Sequence, residues 1–381
     1  MSAPGRVVAS SASWLLAGIF AVAIALPLAA NLAGRDGADP AAENRELVPF
    51  PHVAPAWSAV ATFAPQFGAW FDDHFGFRST LVRWNAESRL FLLGVSPTPA
   101  VVKGEGGWFF YGDDKSVEDY ANAEPMTPEA LANWRLAILR ASKWLRARGI
   151  AYVFTVAPDK HVVYGEEMPS SVSRVGDVSR TDQLLTALQD TGLAVDLRHP
   201  LEEAKRRERI YQQTDTHWND RGAFAAYQRI IAAVRSRVPT TPPPWTRGNF
   251  EAAERRVPGM DLAGMMGLKR VLEENDLVLV PRRPRRAKVV EPVGAAPTAE
   301  EGTLITEIDD PSLPRAVVFR DSFVSRLVPF LSEHFSRAVY LWQNDFDAAV
   351  VEREHPDVVI QEIVGRHLYS FIPSPELVPE Q

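Results

Sequence analysis

Apolar runs that alternate with amphipathic segments constrain the fold of this chain more than any other feature. Ile150–Val156 is a continuous β-branched and aromatic run, which is typical of a strand buried on both faces of a sheet. The segment before it reads as a helix, because Thr127 can cap its start, Pro128 suits the first helical position and Gly149 can end it. Repeated along the chain, this alternation predicts a doubly wound, mainly parallel α/β sheet.

The alternation recurs with one long interruption. We expect helices at Thr181–Gln189, Trp218–Arg235 and Phe323–His334, and strands at Leu193–Leu197, Arg315–Phe319, Ala338–Trp342 and Asp357–Ile360. Residues 238 to about 314 break the pattern, and a run of that length predicts an inserted subregion rather than a structureless loop. Parallel sheets place their sites at the carboxyl ends of the strands, so the chemistry is expected there.

The N-terminal region contains a segment suited to a membrane. Trp14–Ala33 carries no charge, and as a helix it would span about 30 Å, the thickness of the hydrocarbon core. Its length exceeds the ~7–15-residue apolar core of a signal peptide, which favours an uncleaved anchor with Arg6 on the cytoplasmic side. Cleavage near Ala29–Asn31 is the alternative. We therefore predict an anchor at residues 1–33, a linker at 34–55 and a periplasmic domain, tethered to the cytoplasmic membrane, at 56–381.

Composition excludes several classes of function. The chain has 41 basic and 48 acidic residues, and its net charge of −7 argues against a nucleic-acid partner. It has 0 cysteines, which excludes disulfides, thiolate nucleophiles and Cys-ligated metals. Neither glycine-rich nucleotide motif occurs, so no cofactor is expected. The basic stretch Pro281–Lys288 is either a solvated loop or a contact for a polyanion.

The first candidate for chemistry is an Asp-x-His pair, Asp215 and His217, just before an expected helix. In an extended segment both side chains can lie on one side, where the carboxylate holds the imidazole in the tautomer that a general base needs. The structural alternative is that Asp215 caps the helix and His217 plays no chemical part. A zinc site is disfavoured because no two histidines have metal-ligand spacing.

The second candidate is Ser322, which follows a buried strand and starts the expected helix Phe323–His334. Amides and the dipole at a helix N-terminus can stabilise an oxyanion, and a serine there becomes a nucleophile when a base takes its proton. The alternative is that Asp321 or Ser322 simply caps the helix. Together, Ser322, His217 and Asp215 predict a triad of nucleophile, general base and orienting carboxylate.

With these motifs the sequence resembles the alginate O-acetyltransferase AlgJ/AlgX family, within the SGNH hydrolase type of fold. The resemblance extends over residues 43 to 370, and its motifs are Asp215–Asn219, Arg320–Phe323, Glu43–Arg45, Phe50–Pro51, Asp73–Arg78, Gly106–Tyr111, Ala157–His161 with Tyr164 and Pro169, and Asp261–Ala263. In this family Asp and His precede Ser, as they do here. Arg320 departs from the glycine that SGNH enzymes commonly have. The short segment after the last strand favours the membrane-anchored AlgJ type.

The resemblance implies acetyl transfer through an acetyl-Ser322 enzyme to the hydroxyls of an extracytoplasmic polysaccharide such as alginate. It also implies a membrane-bound O-acyltransferase as the partner that supplies acetyl groups. Two alternatives remain open: a polysaccharide acetyl esterase with the same triad, and a non-catalytic component of a polysaccharide assembly complex. Lys160 and His161 are candidates for lining the site, whereas Tyr164 and Asp261 are expected to be structural.

Overall fold

In this computed structural model, residues 11–32, 46–51, 57–290 and 302–379 are described. The chain divides into two units: one comprises Met1–Thr98 with Ala263–Lys269, and the other comprises Pro99–Leu262 with Arg270–Gln381. Residues 1–10 of the predicted anchor, most of the predicted linker at 34–55, and residues 291–301 of the interruption lie outside the described part.

The helices and strands are labelled in chain order. The α-helices are α1 (Ser11–Leu32), α2 (Trp57–His74), α3 (Arg78–Glu87), α4 (Ser116–Ala121), α5 (Pro128–Arg146), α6 (Lys160–Val163), α7 (Arg180–Leu188), α8 (Arg198–Lys205), α9 (Asp220–Arg237), α10 (Asp261–Met265), α11 (Val328–Leu331), α12 (Ala348–Glu354) and α13 (His367–Ser370). The strands are β1 (Val101–Lys103), β2 (Phe109–Tyr111), β3 (Ala151–Ala157), β4 (Ala194–Asp196), β5 (Phe250–Pro258), β6 (Glu273–Pro281), β7 (Lys288–Val290), β8 (Leu304–Glu307), β9 (Arg315–Arg320), β10 (Arg337–Trp342) and β11 (Val358–Val364). A π-helical segment, Ser88–Leu92, follows α3 directly.

A seven-stranded sheet forms the centre of the second unit. Its order is β4-β3-β11-β9-β10-β8-β7; the first five strands are parallel, and β8 and β7 are antiparallel. Neighbouring residues of β3 face opposite layers: Val153 packs into the layer that holds α9, and Phe154 into the layer that holds α5. Both side chains are fully buried, as a continuous apolar run predicts. The predicted doubly wound, mainly parallel sheet is confirmed.

The interruption at 238–314 contributes strands of two kinds. β5 and β6 form an antiparallel hairpin of their own, in register from Phe250 with Pro281 to Pro258 with Glu273. β7 and β8 instead join the main sheet, where β8 pairs with β10. The antiparallel edge of the sheet therefore comes from within the predicted insertion.

The expected helix at Phe323–His334 is wrong as a single element. The segment consists of a 3₁₀ turn at Ser322–Arg326, the short helix α11 and a second 3₁₀ turn at Ser332–His334. Pro329 explains the break, because it has no amide hydrogen and its ring would collide with the carbonyl four residues earlier in a continuous α-helix.

Candidate functional site

The carboxyl ends of three neighbouring strands gather the candidate residues. β3 lies beside β11, and β11 lies beside β9, all parallel, so the residues that follow them share one edge of the sheet. Lys160 follows β3, Ser322 follows β9 and Arg366 follows β11. This is the edge at which the sequence analysis places the chemistry.

The structure brings together the three residues predicted from the sequence. His217 Nε2 lies 2.7 Å from Ser322 Oγ, and His217 Nδ1 lies 2.7 Å from Asp215 Oδ1. The same Asp215 oxygen accepts the backbone amide of His217 at 2.9 Å. With Nδ1–H donated to the carboxylate, Nε2 is left to accept the serine proton, which is the arrangement that activates a hydroxyl.

The structural alternative for Asp215 does not hold, because another residue caps α9. Asn219 Oδ1 accepts the amides of Arg221 and Gly222 at 2.9 and 3.2 Å. Asp215 therefore does not cap α9, and its carboxylate binds the imidazole of His217.

Electrostatics favour an ion pair between Asp215 and His217. Burial opposes the charge on His217, but the hydrogen bond and charge of Asp215, helped by Asp261, outweigh it and raise the pKa of His217. Burial likewise opposes the charge on Asp215, whereas His217 lowers the pKa of that carboxyl to about 2. Asp215 therefore remains ionised at neutral pH, and the imidazole is a stronger base than an isolated histidine.

The serine turn is fixed by the adjacent strand. Asp321 Oδ1 accepts the amide of Phe323 at 2.9 Å, and Asp321 Oδ2 accepts the amide of Val364, at the end of β11, at 2.7 Å. The amide of Asp321 in turn donates to Glu362 Oε2 at 3.2 Å. Burial and the charge of Asp321 raise the pKa of Glu362 well above its usual value, which favours the neutral form of this side chain. We call the segment Asp321–Phe323 the serine turn.

This geometry also corrects the expected source of oxyanion stabilisation. Ser322 begins a five-residue 3₁₀ segment, so the dipole of a long helix is not available to it. The Phe323 amide is already bound by Asp321.

Arg320, the departure from the family pattern, braces the serine turn from inside the protein. It is buried, and its Nη1 donates to the Asp321 carbonyl at 3.1 Å and to Ser325 Oγ at 3.0 Å. Its guanidinium carbon lies 4.4 Å from the centre of the Trp342 ring. The long side chain therefore fills a structural position.

The Asp215–Thr216 peptide group is held at both ends by opposite charges. Lys160 Nζ donates to the Asp215 carbonyl oxygen at 2.6 Å, and Asp261 Oδ1 accepts the Thr216 amide at 2.8 Å. These two atoms belong to one planar peptide unit, so the two side chains fix its orientation and with it the directions of Asp215 and His217. We call Lys160 and Asp261 the peptide clamp.

Lys160 uses all of its hydrogens in this role. Besides Asp215, its ammonium donates to the carbonyls of Gln212 and Gln213 at 3.0 and 3.2 Å, and the side chain is buried. Burial lowers the pKa of Lys160 to about 8, although the charges of Asp261, Asp215 and Glu274 oppose that change. A neutral amine has only two hydrogens for three carbonyls, so deprotonation leaves one carbonyl without a donor.

Asp261 contacts the imidazole region as well as the backbone. Its Oδ2 lies 3.7 Å from His217 Nδ1, and burial and the charge of Asp215 raise the pKa of Asp261. The expectation that Asp261 is merely structural therefore underestimates it. Of the other candidates, His161 bonds to Asp119 at 2.8 Å, and the Tyr164 hydroxyl accepts the Ile210 amide at 3.0 Å.

Glu274 extends the support of the same segment. Its Oε2 accepts both the amide and the hydroxyl of Thr214, at 2.8 and 2.9 Å, and its Oε1 pairs with Arg209 at 2.6 Å. The Asp215–His217 segment is thus held by three charged side chains.

Two groups in the described part of the chain have metal-ligand atoms within 4.8 Å of one another: Asp215, His217 and Asp261, and Asp119, Asp159 and His161. In the first group both imidazole nitrogens are engaged, by Asp215 and by Ser322. In the second, Asp159 pairs with the guanidinium of Arg366 at 2.5 Å. Both groups are therefore organised as hydrogen-bonded networks.

Comparisons with known proteins identify the family of this chain. The family model of the "SGNH hydrolase-like domain, acetyltransferase AlgX" matches residues 101–346, more than half of the chain. The "Probable alginate O-acetylase AlgJ" of Pseudomonas putida is 33% identical over 141 residues, 36% of this chain and 34% of that protein. The Pseudomonas aeruginosa protein of the same name is 30% identical over 138 residues, again 36% and 34%. The alignments thus cover about a third of these relatives.

Two solved structures are similar in fold. The structure of Bacillus cereus PatB1 with a sulfonyl adduct has a TM-score of 0.50 at 15% identity, and it covers 70% of this chain and 97% of that one. The O-acetyltransferase domain of P. putida AlgJ has a TM-score of 0.46 at 20% identity, with coverage of 72% and 96%.

Proposed function

Because the chain belongs to the AlgX family of SGNH hydrolase-like acetyltransferase domains, we propose that it transfers acetyl groups to hydroxyls of an alginate-like polysaccharide outside the cytoplasm. The observation that carries the proposal is the 2.7 Å contact between His217 Nε2 and Ser322 Oγ, backed by Asp215 on the other ring nitrogen. Ser322 lies more than 100 positions after Asp215 and His217, yet the three side chains form the hydrogen-bonded chain that a nucleophile, a base and an orienting carboxylate would need.

The first half-reaction loads the enzyme. Ser322 Oγ attacks the carbonyl carbon of an acetyl donor while its proton passes to His217 Nε2. The tetrahedral intermediate then collapses, the bond to the donor's leaving oxygen breaks, and the imidazolium returns the proton to that oxygen. Acetyl-Ser322 remains, and the charge on His217 is balanced throughout by Asp215.

The second half-reaction unloads it. A sugar hydroxyl gives its proton to His217 Nε2 and attacks the acetyl carbonyl carbon. Collapse breaks the bond to Ser322 Oγ, which takes the proton back from the imidazolium, and the acetylated sugar leaves.

The acetyl donor is proposed to be delivered at the membrane. α1 contains Ala12–Asn31, a helix that is long and apolar enough to cross a bilayer. As an uncleaved anchor in the cytoplasmic membrane it would hold the domain in the periplasm beside a membrane-bound O-acyltransferase and raise the effective concentration of each for the other.

The triad is tested by labelling and turnover together. A serine-directed sulfonyl fluoride should add one adduct to Ser322, and Ser322→Ala should lose both the adduct and acetyl-ester turnover. Ser312→Ala, in an exposed loop, is the matched control and should keep both. Turnover that persists in Ser322→Ala would end the assignment, and would favour a non-catalytic role for the serine turn.

The second candidate, an acetyl esterase, differs only in the acceptor. With a small acetyl ester as donor, an acidic oligosaccharide should divert acetyl from water to sugar, giving a product heavier by one acetyl group. A bound, oriented hydroxyl can outcompete water through an effective molarity of about 10⁵ M or more. Unchanged hydrolysis with every oligosaccharide offered would make the esterase the better description.

Fewer cations of the basic stretch Pro281–Lys288 can bind an acidic acceptor than its composition suggests. Arg285 donates to the Pro329 carbonyl, and Arg286 pairs with Asp310 at 2.7 Å. Arg282, Arg283 and Lys288 are exposed and are available to a polyanion. We propose that these three affect the use of an acidic acceptor, with a loss that high salt reproduces.

A further inference from the structure

Residues 78–95 present large apolar side chains to the outside. The exposed members are Leu81, Val82, Trp84, Phe91, Leu92, Leu93 and Val95. They lie on α3, on the π-helical segment and just after it, whereas Ala86 and Leu90 in the same segment are buried. We call the exposed set the apolar stripe. A contiguous surface of this kind marks an interaction site.

The charges around the apolar stripe point to the chemistry of its partner. The segment contains Arg78, Arg83 and Arg89 but a single acidic residue, Glu87. Arg83 and Glu87 form an ion pair at 3.7 Å. An apolar face that includes a tryptophan and is bordered by arginines is the composition of helices that lie on a membrane surface.

The end of the apolar helix α1 lies against the turn that precedes α3. The Gly76 amide donates to the Pro27 carbonyl at 3.1 Å, and Asn31 Nδ2 donates to the His74 carbonyl. A Cβ on Gly76 would collide with the Pro27 oxygen and the Ala30 Cβ, so the close approach requires glycine. Both segments belong to the same unit.

These contacts fix the depth at which α3 begins. α1 has 22 residues, which is a length of about 33 Å and matches a hydrocarbon core of about 30 Å. Pro27 and Asn31 lie in its last turns, at the edge of that core. α3 starts two residues after Gly76, and therefore starts at the level of the lipid headgroups.

We propose that the apolar stripe inserts into the membrane surface beside α1, with its side chains among the upper acyl chains and the exposed Arg89 at anionic headgroups. The inference rests on the proposal that α1 is an anchor that spans the membrane. It gives this unit a second attachment to the same bilayer.

The absence of cysteine allows a direct test on the full chain, since each introduced cysteine is unique. Leu92→Cys, Ile19→Cys and Val175→Cys replace side chains that are 81%, 58% and 78% exposed. Each variant is labelled with a nitroxide and reconstituted in vesicles of phosphatidylethanolamine and phosphatidylglycerol. Collision of the label with oxygen, which concentrates in lipid, is compared with collision with a water-soluble nickel chelate.

We expect the label at position 92 to collide preferentially with oxygen at headgroup depth, the label at 19 to lie deeper, and the label at 175 to collide with the nickel chelate. If position 92 behaves like position 175, the stripe faces water and the proposal is wrong. If position 92 is shielded from both reagents, a protein surface covers it and lipid is again excluded. A label at 19 that collides with the nickel chelate refutes the anchor itself, which separates the two failures.

Discussion

The two halves of the candidate site are held by different kinds of interaction. On the nucleophile side, Asp321 accepts the amides of Phe323 and Val364, so the serine turn is tied to the backbone of the neighbouring strand. On the base side, the Asp215–Thr216 peptide is held by the side chains of Lys160 and Asp261. Both halves depend on ionisable side chains, Asp321 and Glu362 in one and Lys160 and Asp261 in the other. Lys160 is the cation among them and has a pKa of about 8, so we expect the contacts of the proposed base to weaken above that pH.

The largest losses of activity are expected from substitutions of Ser322 and His217, and they should be equal in the two halves of the site because both residues take part in the same proton transfer. We expect Ser322→Ala and His217→Ala each to reduce kcat about 10⁴-fold or more, and the double variant to lose no more than either one. Steady-state turnover of a small acetyl ester measures this. Losses that multiply in the double variant would mean that the two residues do not act as a unit.

The next largest loss of activity is expected for Asp215→Asn. An amide can hold the ring in the wrong tautomer and cannot balance the imidazolium, so we expect kcat to fall about 10³- to 10⁴-fold with little change in KM. Sulfonylation of Ser322, which needs the base but no sugar acceptor, should slow by the same factor. Equal labelling rates in Asp215→Asn and the parent protein would remove Asp215 from the mechanism.

Lys160→Met tests the peptide clamp itself. It leaves the Asp215 carbonyl without its charged donor, and a misplacement of about 1 Å can cost about 10²-fold in kcat. Lys205→Met is the matched control, because Lys205 donates to the Val163 carbonyl and pairs with Glu166, outside the clamp. The parent protein should also lose activity above about pH 8, and Lys160→Met should lack that alkaline loss.

The same lysine separates activity from stability. The pKa of Lys160 is about 8 when folded and about 10.5 in its ordinary state, so between these values the unfolded chain binds more protons and stability rises with pH. The contribution of Lys160 to the free energy of unfolding should thus increase over the range in which activity declines. Urea titrations of the parent and of Lys160→Met across this range measure it. A parallel fall of both quantities would mean that alkaline inactivation is unfolding.

The loss of activity at acid pH depends on the protonation of the His217 imidazole. Only neutral His217 accepts the serine proton, so activity should fall about tenfold per pH unit below its pKa, which lies above the usual value of 6.5. Asp261→Asn removes a charge that raises this pKa and should move the acid limb to lower pH. The pH dependence of sulfonylation measures the shift, and a limb that does not move would show that Asp261 acts on the backbone alone.

The smallest effect on activity is expected on the nucleophile side. Asp321→Asn keeps one acceptor for two buried amides, which should cost about 1–3 kcal/mol of stability. Because the strand still positions the turn, kcat should change less than tenfold and the pH profile should keep its shape. If Asp321→Asn changes the loss of activity at alkaline pH as much as Lys160→Met does, the two halves of the site do not differ in their sensitivity to pH.

What could be predicted from the sequence is what short-range patterns encode. Asp215 and His217 are two positions apart just before a helix, and Ser322 follows a buried strand, so each candidate could be found from the residues around it. The clamp could not be found this way, because Asp261 lies 45 positions from Thr216 and Lys160 lies 55 positions from Asp215. Only the fold makes those contacts. The helix after Ser322 failed for a local reason, Pro329, which the apolar pattern around it obscured.

The order of the strands has a consequence for how such a protein matures. β11 is the last strand along the chain, yet it lies between β3 and β9 near the middle of the sheet. The serine turn takes one of its two backbone partners from the end of β11. A chain that emerges N-terminus first cannot complete this sheet, or hold the serine turn beside β11, until β11 has arrived. If the chain is an exported enzyme, as we propose, it should stay inactive until then, and loss of β11 should leave no partial activity.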